Sequence, residues 1–425
     1  MDKTETISLE EAQRLILGVV EALDSEVVSL AEGCGRVLAE EVRARRDYPP
    51  FPRSAMDGYA VRSGDLVHLP PEGMILKVRG FVGPGASGKI KIGQGEAIRI
   101  LTGGSLPTGA DAVAPQEMVE TVPGGIRLHL VLRPGDFVIP AGSGAREGQR
   151  LMTPGLVLGA VELTVLADLD YREVRVRRRP RVAVLATGDE LAAAGESGSP
   201  DLVFPSNLQL LLHLVRAAGG EAVSLEAVKD RRDILGAALR RGLGAEIVVT
   251  TGGTGRGDRD LMATAVTELG GELLFRGVAM RPGKQALSAR VGPTLLFGLP
   301  GRPPAAHIAF LQLVRPALLT MLGLSPVFLP EVAAGLAQPL RVQPDLTSFI
   351  HSRLFLGGDG PEVSLVGAEA GGLMAQMLAA NSLVVIPPGR EELEAGERVR
   401  VQPLNLGLVA LRYFVDPGPI SPSRS

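Results

Sequence analysis

The segment AEIVVTTGGTGRGDRD at 245–260 combines features of an anion-binding loop with acidic residues that could hold a metal ion. An apolar run is followed by two threonines, by glycines at 252, 253, 255 and 257, and by Asp260. A strand, a glycine turn and a helix start present backbone N–H groups to an anion, and the helix N-terminus adds roughly half a positive charge. A plain strand-to-helix turn needs only one glycine, so we predict a ligand-binding loop. A dinucleotide fingerprint is excluded, because its third glycine would fall on Asp258.

A second group of polar residues ends the first strand of the same α/β unit, in the sequence ATGDEL at 186–191. Thr187, Asp189 and Glu190 should therefore lie at the carboxyl end of that strand, beside the loop that begins at Gly252. Acidic residues at a helix start often serve only the helix dipole. Together with Asp260 on a neighbouring edge, they become candidate ligands for Mg2+, which takes one or two carboxylates plus substrate phosphate oxygens.

Two further loops of this unit carry positive side chains. Arg281 and Lys284 lie in VAMRPGKQALSAR at 278–290, and Arg302 lies in GLPGRPPAA at 298–306. These residues could neutralise a polyanionic ligand, or they could serve solubility as basic surface loops often do. The residue pattern alone leaves both interpretations open.

An earlier segment, PPFPRSAMDGYAV at 49–61, also carries candidate functional residues. Its Asp-Gly pair is a turn signal, and a turn is the simplest interpretation. This stretch nevertheless contains more potentially functional side chains than a turn requires, namely those of Ser54, Met56, Asp57 and Tyr59.

The secondary-structure elements that position these residues can be predicted from the order of apolar and helical patterns along the chain. From 181 to 321, short apolar runs alternate with helical patterns, beginning with RVAVLATG and ending with AAHIAFLQLVRPALLTML. This alternation predicts a parallel sheet covered by helices on both faces, with ligands at the carboxyl ends of the strands. Between about 45 and 145, and again after Pro326, short β-type runs with Gly and Pro turns predict two β modules.

The composition of the chain limits the classes of protein to which it can belong. The chain has 425 residues, 45% of them hydrophobic, which is enough for about three domains. A formal net charge of −3 argues against general nucleic-acid binding, and a single cysteine, Cys34, excludes a disulfide framework and a cysteine-rich zinc site. No apolar run is long enough to cross a bilayer, and the acidic, polar N-terminus is not a signal peptide. We expect a soluble, cytoplasmic protein.

Taken together, the motifs resemble the molybdopterin molybdenumtransferase family, called MoeA in bacteria and represented by the E-domain of gephyrin in animals. The resemblance runs from about residue 7 to residue 404 and rests on motifs that occur in the family's order: GRVLAEEV, SAMDGYAV, ILTGGSLPTGADAV, RPRVAVLATGDEL, VAMRPGK, GLPGRP and AGERVRV. The sequence TTGGTG departs from the family's usual Ser-Gly-Gly-Val-Ser. It is similar to the related molybdopterin adenylyltransferase, whose MogA-like fold the α/β domain should share.

The resemblance implies a multidomain α/β and β protein that forms an elongated, L-shaped homodimer. Its central parallel α/β domain would be of the molybdopterin-binding, MogA-like type. The implied division is a helical hinge and dimerisation region at 1–45 and 146–178, an inserted β module at 46–145, the α/β domain at 179–326, a C-terminal β-barrel at 327–413 and a disordered tail at 414–425.

The implied activity is Mg2+-dependent insertion of molybdate into adenylylated molybdopterin, with release of AMP. Asp57, Glu190 and Asp260 would be the catalytic residues. Glu190 and Asp260 would hold the Mg2+, and Asp57 would reach the same cleft from the other subunit. The other implied positions bind substrate, and they are Ser54, Thr102, Thr187, Gly188, Asp189, Ser206, Asn207, Asp230, Thr251, Gly252, Gly253, Thr254, Gly255, Arg281, Lys284, Pro300, Gly301 and Arg302.

Several positions that usually carry polar or charged side chains in the family differ in this chain. These differences leave open whether activity is retained, reduced or lost. The differences are Phe137 for asparagine, Ile139 for arginine, Gly144 for aspartate, Arg302 for asparagine, His351 for arginine and Gly371 for serine.

Two other functions therefore stay open. One is a divergent, non-catalytic paralogue that binds the cofactor precursor or a partner protein, which the departures favour. The other is a molybdopterin adenylyltransferase, which TTGGTG favours. The adenylyltransferase and molybdoenzyme chaperones are expected protein partners, whereas the sequence does not decide between molybdate and tungstate.

Overall fold

The structure, a computed structural model, describes residues 6–85, 90–192, 203–252, 258–358, 360–367 and 373–404. The chain divides into two compact units. The larger unit comprises Met1–Glu40, Pro154–Val161 and Glu173–Ser425, and the smaller unit comprises Glu41–Thr153 and Glu162–Arg172. The four-part division expected from the sequence stays a prediction, and its tail at 414–425 lies outside the described residues.

The smaller unit is built on a six-stranded sheet whose core includes the fully buried Ile98 and Ile126. Two short strand pairs complete it, Arg53–Ser54 with Val138–Ile139 and Val42–Arg43 with Arg150–Met152. The order of strands in the main sheet is Ala112–Pro115, Gly58–Val61, Glu96–Ile100, Met74–Val82, Gly125–Leu128 and Val119–Val122.

The packing of two strands explains why the SAMDGYAV motif has glycine at position 58. Gly58 pairs with Pro115 in the antiparallel neighbouring strand. A Cβ atom at Gly58 would lie only 2.1 Å from the carbonyl oxygen of Ala114. The close approach of the two strands therefore requires glycine directly after Asp57.

The larger unit contains a second six-stranded sheet, and four of its strands are parallel, as the strand–helix alternation predicted. Two antiparallel strands extend one edge, because a Gly-Pro turn at 292–293 reverses the chain. The order is Glu221–Val228, Arg181–Thr187, Ile247–Thr251, Thr294–Leu299, Leu287–Val291 and Glu272–Arg276.

Hydrophobic cores lie on both faces of this sheet, because successive residues of its central strands point in opposite directions. Val184 and Val249 belong to one core, whereas Leu185 and Val248 belong to the other. The helices of this part are Leu9–Leu17, Ser206–Ala217, Arg232–Gly242, Asp258–Glu268, Pro303–Ala309 and Arg315–Met321, and the last two are joined by a π-helical turn at Phe310–Val314.

The C-terminal part of the larger unit forms a closed, five-stranded barrel. The long strand Thr347–Gly357 closes it by pairing with both Gly360–Leu365 and Ser382–Ile386. Val332–Leu336 and Arg398–Pro403 complete the ring, and helix Leu373–Ala379 packs against the long strand. The shorter strands Met280–Arg281, Leu340–Arg341, Glu392–Leu393, Ser25–Ser29 and Glu173–Arg177 make local pairs. Among the helices that the structure describes, none is long and apolar enough to span a bilayer.

Two buried histidines lie side by side in the larger unit. His307 belongs to the helix Pro303–Ala309 and His351 to the strand Thr347–Gly357, and their ring centroids are 6.3 Å apart. Burial lowers the pKa of His307 to about 4, and the neighbouring His351 adds to this shift. Burial lowers the pKa of His351 as well. Both imidazoles are therefore neutral at pH 7, so His351 does not supply the charge of the arginine that is common at its position.

We expect the free energy of unfolding to fall as the pH is lowered from about 6.5 toward 4, because the unfolded chain protonates His307 in this range whereas the folded chain does not. The shift corresponds to roughly 3 kcal/mol. Urea unfolding at a series of pH values should show a flatter profile for His307→Gln. The matched control is His213→Gln, at an exposed position of helix Ser206–Ala217. A His307→Gln profile as steep as that of the parent would contradict the lowered pKa.

Candidate active site

Two parallel strand ends approach each other closely at the carboxyl edge of the α/β sheet. Ala186 is in register with Thr251, and Gly252 follows with a φ angle of +90°. A Cβ atom at Gly252 would lie 2.0 Å from the carbonyl oxygen of Thr187. Glycine is therefore required here for backbone reasons. The next predicted positions of this loop, Gly253, Thr254 and Gly255, lie outside the described residues.

Asn207 joins three segments at this edge through its side-chain amide. Its Nδ2 atom donates to Oγ1 of Thr251 at 3.0 Å and to the carbonyl oxygen of Gly301 at 2.6 Å. Oγ1 of Thr251 donates in turn to the carbonyl oxygen of Pro300 at 3.1 Å. Because a carbonyl oxygen only accepts, the bond to Gly301 fixes which way the amide faces. Oδ1 of Asn207 is left buried, with no partner among the described residues.

The turn after strand Arg181–Thr187 is held by Lys229 and Asp230, which directly follow the neighbouring strand Glu221–Val228. Oγ1 of Thr187 donates to Oδ1 of Asp230, and the backbone N–H of Asp230 donates to Oδ1 of Asp189 at 3.1 Å. Nζ of Lys229 donates to the carbonyl oxygens of Asp189 and Leu191, at 2.9 and 3.1 Å. Asp189 and Asp230 thus hold the turn. Sequence reasoning missed Lys229, although it stands directly before Asp230.

This network frames a cavity of about 420 Å³. Glu190 is exposed in it, and its carboxylate folds back over Gly188, where a Cβ atom would lie 2.6 Å from Oε1. That carboxylate makes no hydrogen bond or ion pair within the part of the chain that the structure describes. Eight predicted site residues line the cavity: Thr187, Glu190, Ser206, Asn207, Thr251, Gly252, Gly301 and Arg302.

Positive potential reaches the cavity from two helix starts. Pro205, Ser206 and Asn207 line it at the N-terminus of a helix of 12 residues, where the dipole is positive. Arg302 precedes the other helix, which begins with Pro303 and Pro304. Because proline has no N–H group, this second helix start lacks two backbone donors. The guanidinium of Arg302 must supply the charge there.

Among the described residues, the other predicted positions of the larger unit do not line this cavity. Pro300 contributes its carbonyl oxygen to the Thr251 bond, as described above. Arg281 lies exposed in a short strand that pairs with Thr347–Ser348, and Lys284 is exposed in the following turn. Asp260 belongs to helix Asp258–Glu268, and its side chain lies outside the described part of the structure.

A second group of predicted residues comes together in the smaller unit. The backbone N–H and the hydroxyl of Thr102 both donate to Oδ1 of Asp57, each at 2.7 Å. These two bonds lower the pKa of Asp57, the backbone bond more than the hydroxyl bond. Ser54 is buried, and its hydroxyl donates to the carbonyl oxygen of Met56 at 2.5 Å. The carboxylate of Asp57 is therefore charged and oriented, and its Oδ2 atom accepts no hydrogen bond from the residues that the structure describes.

The departures from the family pattern in the smaller unit have local structural consequences. Phe137 takes a φ angle of +54°, a region that asparagine tolerates better than phenylalanine. Ile139 pairs directly with Arg53, so a cation stands opposite the position where the family usually has arginine. A Cβ atom at Gly144 would lie 3.1 Å from the ring of Tyr48, which occupies space that an aspartate would need. Gly371 lies outside the described residues.

Comparisons with known proteins agree with this arrangement. Three family models match in order: the MoeA N-terminal region (domain I and II) at 7–169, a probable molybdopterin binding domain at 183–320, and the MoeA C-terminal region (domain IV) at 333–404. The described residues that line the cavity lie within the second match, except Met374, which lies within the third. Fold and site thus define a protein with a molybdopterin-binding type of α/β domain between two MoeA-type regions.

Relatives match along nearly the whole chain. The molybdopterin molybdenumtransferase of Nostoc sp. is 32% identical over 409 residues, covering 93% of each chain. That of Bacillus subtilis is 29% identical over 407 residues, covering 94% of this chain and 95% of the relative. The crystal structure of a molybdopterin biosynthesis MoeA protein from Pyrococcus horikoshii is 31% identical, with a TM-score of 0.81, and covers 94% of this chain and 99% of that one. The chain belongs to the molybdopterin molybdenumtransferase family, as its motifs predicted.

Replacing Thr102 with valine should weaken the stability of the smaller unit at neutral pH and much less at acid pH. The substitution removes the hydroxyl bond to Asp57 and keeps the backbone bond, so the loss should be partial. A lowered folded pKa stabilises the protein above the unfolded value of about 3.9, and that stabilisation disappears as the pH falls through the folded pKa.

The measurement is urea unfolding of the parent and Thr102→Val between pH 7 and pH 3. In an Asp57→Asn background the same substitution should show no such pH dependence. A difference between parent and variant that is constant across this range would show that the Thr102 hydroxyl does not act through the Asp57 carboxylate.

Proposed function

We propose that this chain transfers molybdenum from molybdate to adenylylated molybdopterin and releases AMP. The observation that carries the proposal is the cavity at the carboxyl edge of the α/β sheet. It brings Glu190, whose carboxylate has no partner among the described residues, together with Arg302, Asn207 and Thr251. Such a site suits a phosphate-bearing substrate with a divalent cation. Relatives named molybdopterin molybdenumtransferase, 29–32% identical over nearly the whole chain, support the reaction and its place in molybdenum cofactor biosynthesis.

The substrate's phosphate groups are held by the positive edge of the cavity. The guanidinium of Arg302 can donate two parallel hydrogen bonds to one phosphate. The helix that starts at Ser206 adds backbone N–H groups and the positive end of its dipole. Arg281 and Lys284, which lie outside the cavity, are proposed to neutralise oxyanions of molybdate or of the departing AMP.

Glu190 and Asp260 are proposed to hold Mg2+. The carboxylate of Glu190 fits this ion, because it is exposed in the cavity and unpaired within the described residues, and because one or two carboxylates suffice where phosphate oxygens complete the shell. When bound, Mg2+ would supply Lewis-acid chemistry that polarises a phosphate oxygen of the substrate. Lys229 and Asp230 position Glu190 by holding the turn that carries it.

Asp57 is proposed to complete the site from the second subunit of a homodimer. Its carboxylate is charged at neutral pH because the two donors of Thr102 lower its pKa. Its free oxygen can accept a hydrogen bond from an N–H or O–H group of the substrate. The proposal includes a cytoplasmic location, with the molybdopterin adenylyltransferase and molybdoenzyme chaperones as protein partners.

A second candidate function is binding of the cofactor precursor without turnover. The observations that favour it are the exposed, apolar Ile139 and the neutral, buried His351, which stand where the family usually offers arginine. A non-catalytic protein would still bind adenylylated molybdopterin in the cavity. It would not release AMP.

Purified protein mixed with adenylylated molybdopterin and Mg2+ should release AMP when molybdate is added. AMP is quantified by chromatography, with and without molybdate. Binding without release of AMP would support the precursor-binding function, and consumption of ATP with unmodified molybdopterin would identify an adenylyltransferase.

Replacing Glu190 with glutamine should reduce AMP release by about 10²–10⁴-fold, because the amide keeps the shape of the side chain and removes its charge. High Mg2+ should restore part of the rate if metal affinity is the quantity lost. Glu221→Gln is the matched control, since Glu221 is exposed at the amino end of a neighbouring strand. AMP release that is unchanged in Glu190→Gln would remove Glu190 from the mechanism.

Mixed dimers test whether the site is shared between subunits. Asp57→Ala and Asp260→Ala should each be inactive, whereas an equimolar mixture should regain about a quarter of the parent's rate after subunit exchange, because half of the dimers are hybrids and each hybrid has one intact site of two. Exchange is verified with differently tagged subunits. Absence of recovery in verified hybrids, or a monomer by light scattering, would place both residues outside a shared site.

A further inference from the structure

The guanidinium of Arg53, in the smaller unit, packs against two aromatic rings. Its central carbon atom lies 5.1 Å from the ring centroid of Phe51 and 6.0 Å from that of Tyr48. Aromatic faces attract a guanidinium over distances up to about 6 Å. Arg53 itself belongs to the short strand Arg53–Ser54, which pairs with Val138–Ile139. The rings and the strand together fix where this positive charge lies.

This charge has no acceptor within the part of the chain that the structure describes. The Nε atom of Arg53 is buried without a hydrogen-bond partner, and the guanidinium makes no ion pair there. The acidic residues nearest to it in the sequence are already engaged: Asp47 accepts from the backbone N–H of Glu147 at 2.8 Å, and Asp57 accepts from Thr102. A buried donor that lacks an acceptor indicates that a ligand supplies one.

The neighbours of Arg53 make its guanidinium the local source of hydrogen bonds to a ligand. Prolines occupy positions 49, 50 and 52, and proline has no N–H group. Phe51 and Ile139, which stands directly opposite Arg53, are 37% and 39% exposed, whereas Arg53 is half-buried. The charge thus lies deeper than the apolar side chains beside it. Apolar surroundings strengthen the attraction between a cation and an anion, because they lower the local dielectric constant.

We propose that Arg53 binds a small oxyanion in the smaller unit, beside Tyr48, Phe51 and Ile139. A planar guanidinium can donate two parallel hydrogen bonds to two oxygen atoms of such an anion. A carboxylate of a partner chain would satisfy the same donors. A small oxyanion is favoured because it can reach a charge that lies deeper than the side chains beside it.

The choice of oxyanions rests on the proposed function. Molybdate and the phosphate groups of adenylylated molybdopterin are both tetrahedral oxyanions, and one guanidinium can recognise either. Molybdate, AMP and inorganic pyrophosphate, added separately, distinguish these sources. Binding is measured without turnover, so it is independent of whether the protein releases AMP.

The first experiment uses Phe51→Trp as a fluorescent reporter beside Arg53, because the chain has no tryptophan of its own. Tryptophan keeps an aromatic face for the guanidinium. At least one of the three oxyanions should change its emission in a saturable way, and adding Arg53→Gln should abolish that change. The matched control adds Arg133→Gln, at an exposed arginine of the same unit, and should leave the change intact.

Three results of this titration would overturn the proposal. One is the absence of a saturable change with any of the oxyanions. Another is a change that persists with Arg53→Gln. The third is a loss of the oligomeric state by light scattering in Arg53→Gln with unchanged oxyanion affinity, which would assign the guanidinium to a carboxylate of a partner chain.

The second experiment moves the cation across the strand pair. Arg53→Ile should weaken oxyanion binding, measured by calorimetry, by about tenfold to a hundredfold. Combining it with Ile139→Arg should restore most of the affinity, because directly opposed residues of an antiparallel pair lie on one face with Cβ atoms about 4.5–5.5 Å apart. A purely structural role of Arg53 predicts no such recovery.

Urea unfolding shows whether each of these variants is folded. Arg53→Lys is the conservative variant, since it keeps the charge and loses the planar fork, and it should lose less affinity than Arg53→Gln. A folded double variant that binds no better than Arg53→Ile would contradict the proposal. Equal affinity in the parent and Arg53→Gln would contradict it as well.

Kinetics separate this proposal from the proposed function. A parent that binds an oxyanion through Arg53 and releases no AMP would contradict the proposed reaction and leave the oxyanion site standing. A parent that releases AMP, and in which Arg53→Gln changes neither KM nor oxyanion affinity, would contradict the oxyanion site alone.

Discussion

The side-chain amide of Asn207 is the interaction on which the arrangement of the site depends. One nitrogen atom binds both Thr251 and Gly301, so the helix that starts at Ser206, a central strand and the loop before helix Pro303–Ala309 are fixed to one another. Each of these segments lines the cavity. Gly252 and Thr187 form the other wall of the cavity. Gly252 approaches the carbonyl oxygen of Thr187 so closely that no side chain fits at position 252. Removing the amide would free two buried partners together, which costs more than a typical surface contact.

The acidic residues in and beside the turn that follows strand Arg181–Thr187 have different roles. Asp189 and Asp230 accept hydrogen bonds from within the turn and from the strand beside it, whereas the carboxylate of Glu190 has no such partner among the described residues. The ammonium group of Lys229 donates to two carbonyl oxygens and does not pair with Glu190. The two prolines after Arg302 have a related effect, because they remove backbone donors and make that arginine the local source of positive charge.

The sequence predicted those features that depend on nearby residues. The alternation from 181 to 321 located the parallel strands, and the glycines after Thr251 indicated a special turn. Contacts between distant residues could not be predicted in this way: Asn207 is 44 positions from Thr251 and 94 from Gly301. Nor could any local pattern show that Arg53 stands opposite Ile139, since that pairing depends on strand register. The sequence placed Asp189 beside Glu190 among the carboxylates at the strand end, and only the structure shows that the backbone N–H of Asp230 donates to Oδ1 of Asp189.

The most direct test of this site is a crystal structure of the protein with adenylylated molybdopterin bound. The phosphate groups should lie within hydrogen-bonding distance of Arg302 and the start of the helix at Ser206, with Glu190 beside them. Substrate bound elsewhere on the protein, with the cavity between Thr187, Asn207 and Arg302 empty, would contradict the assignment.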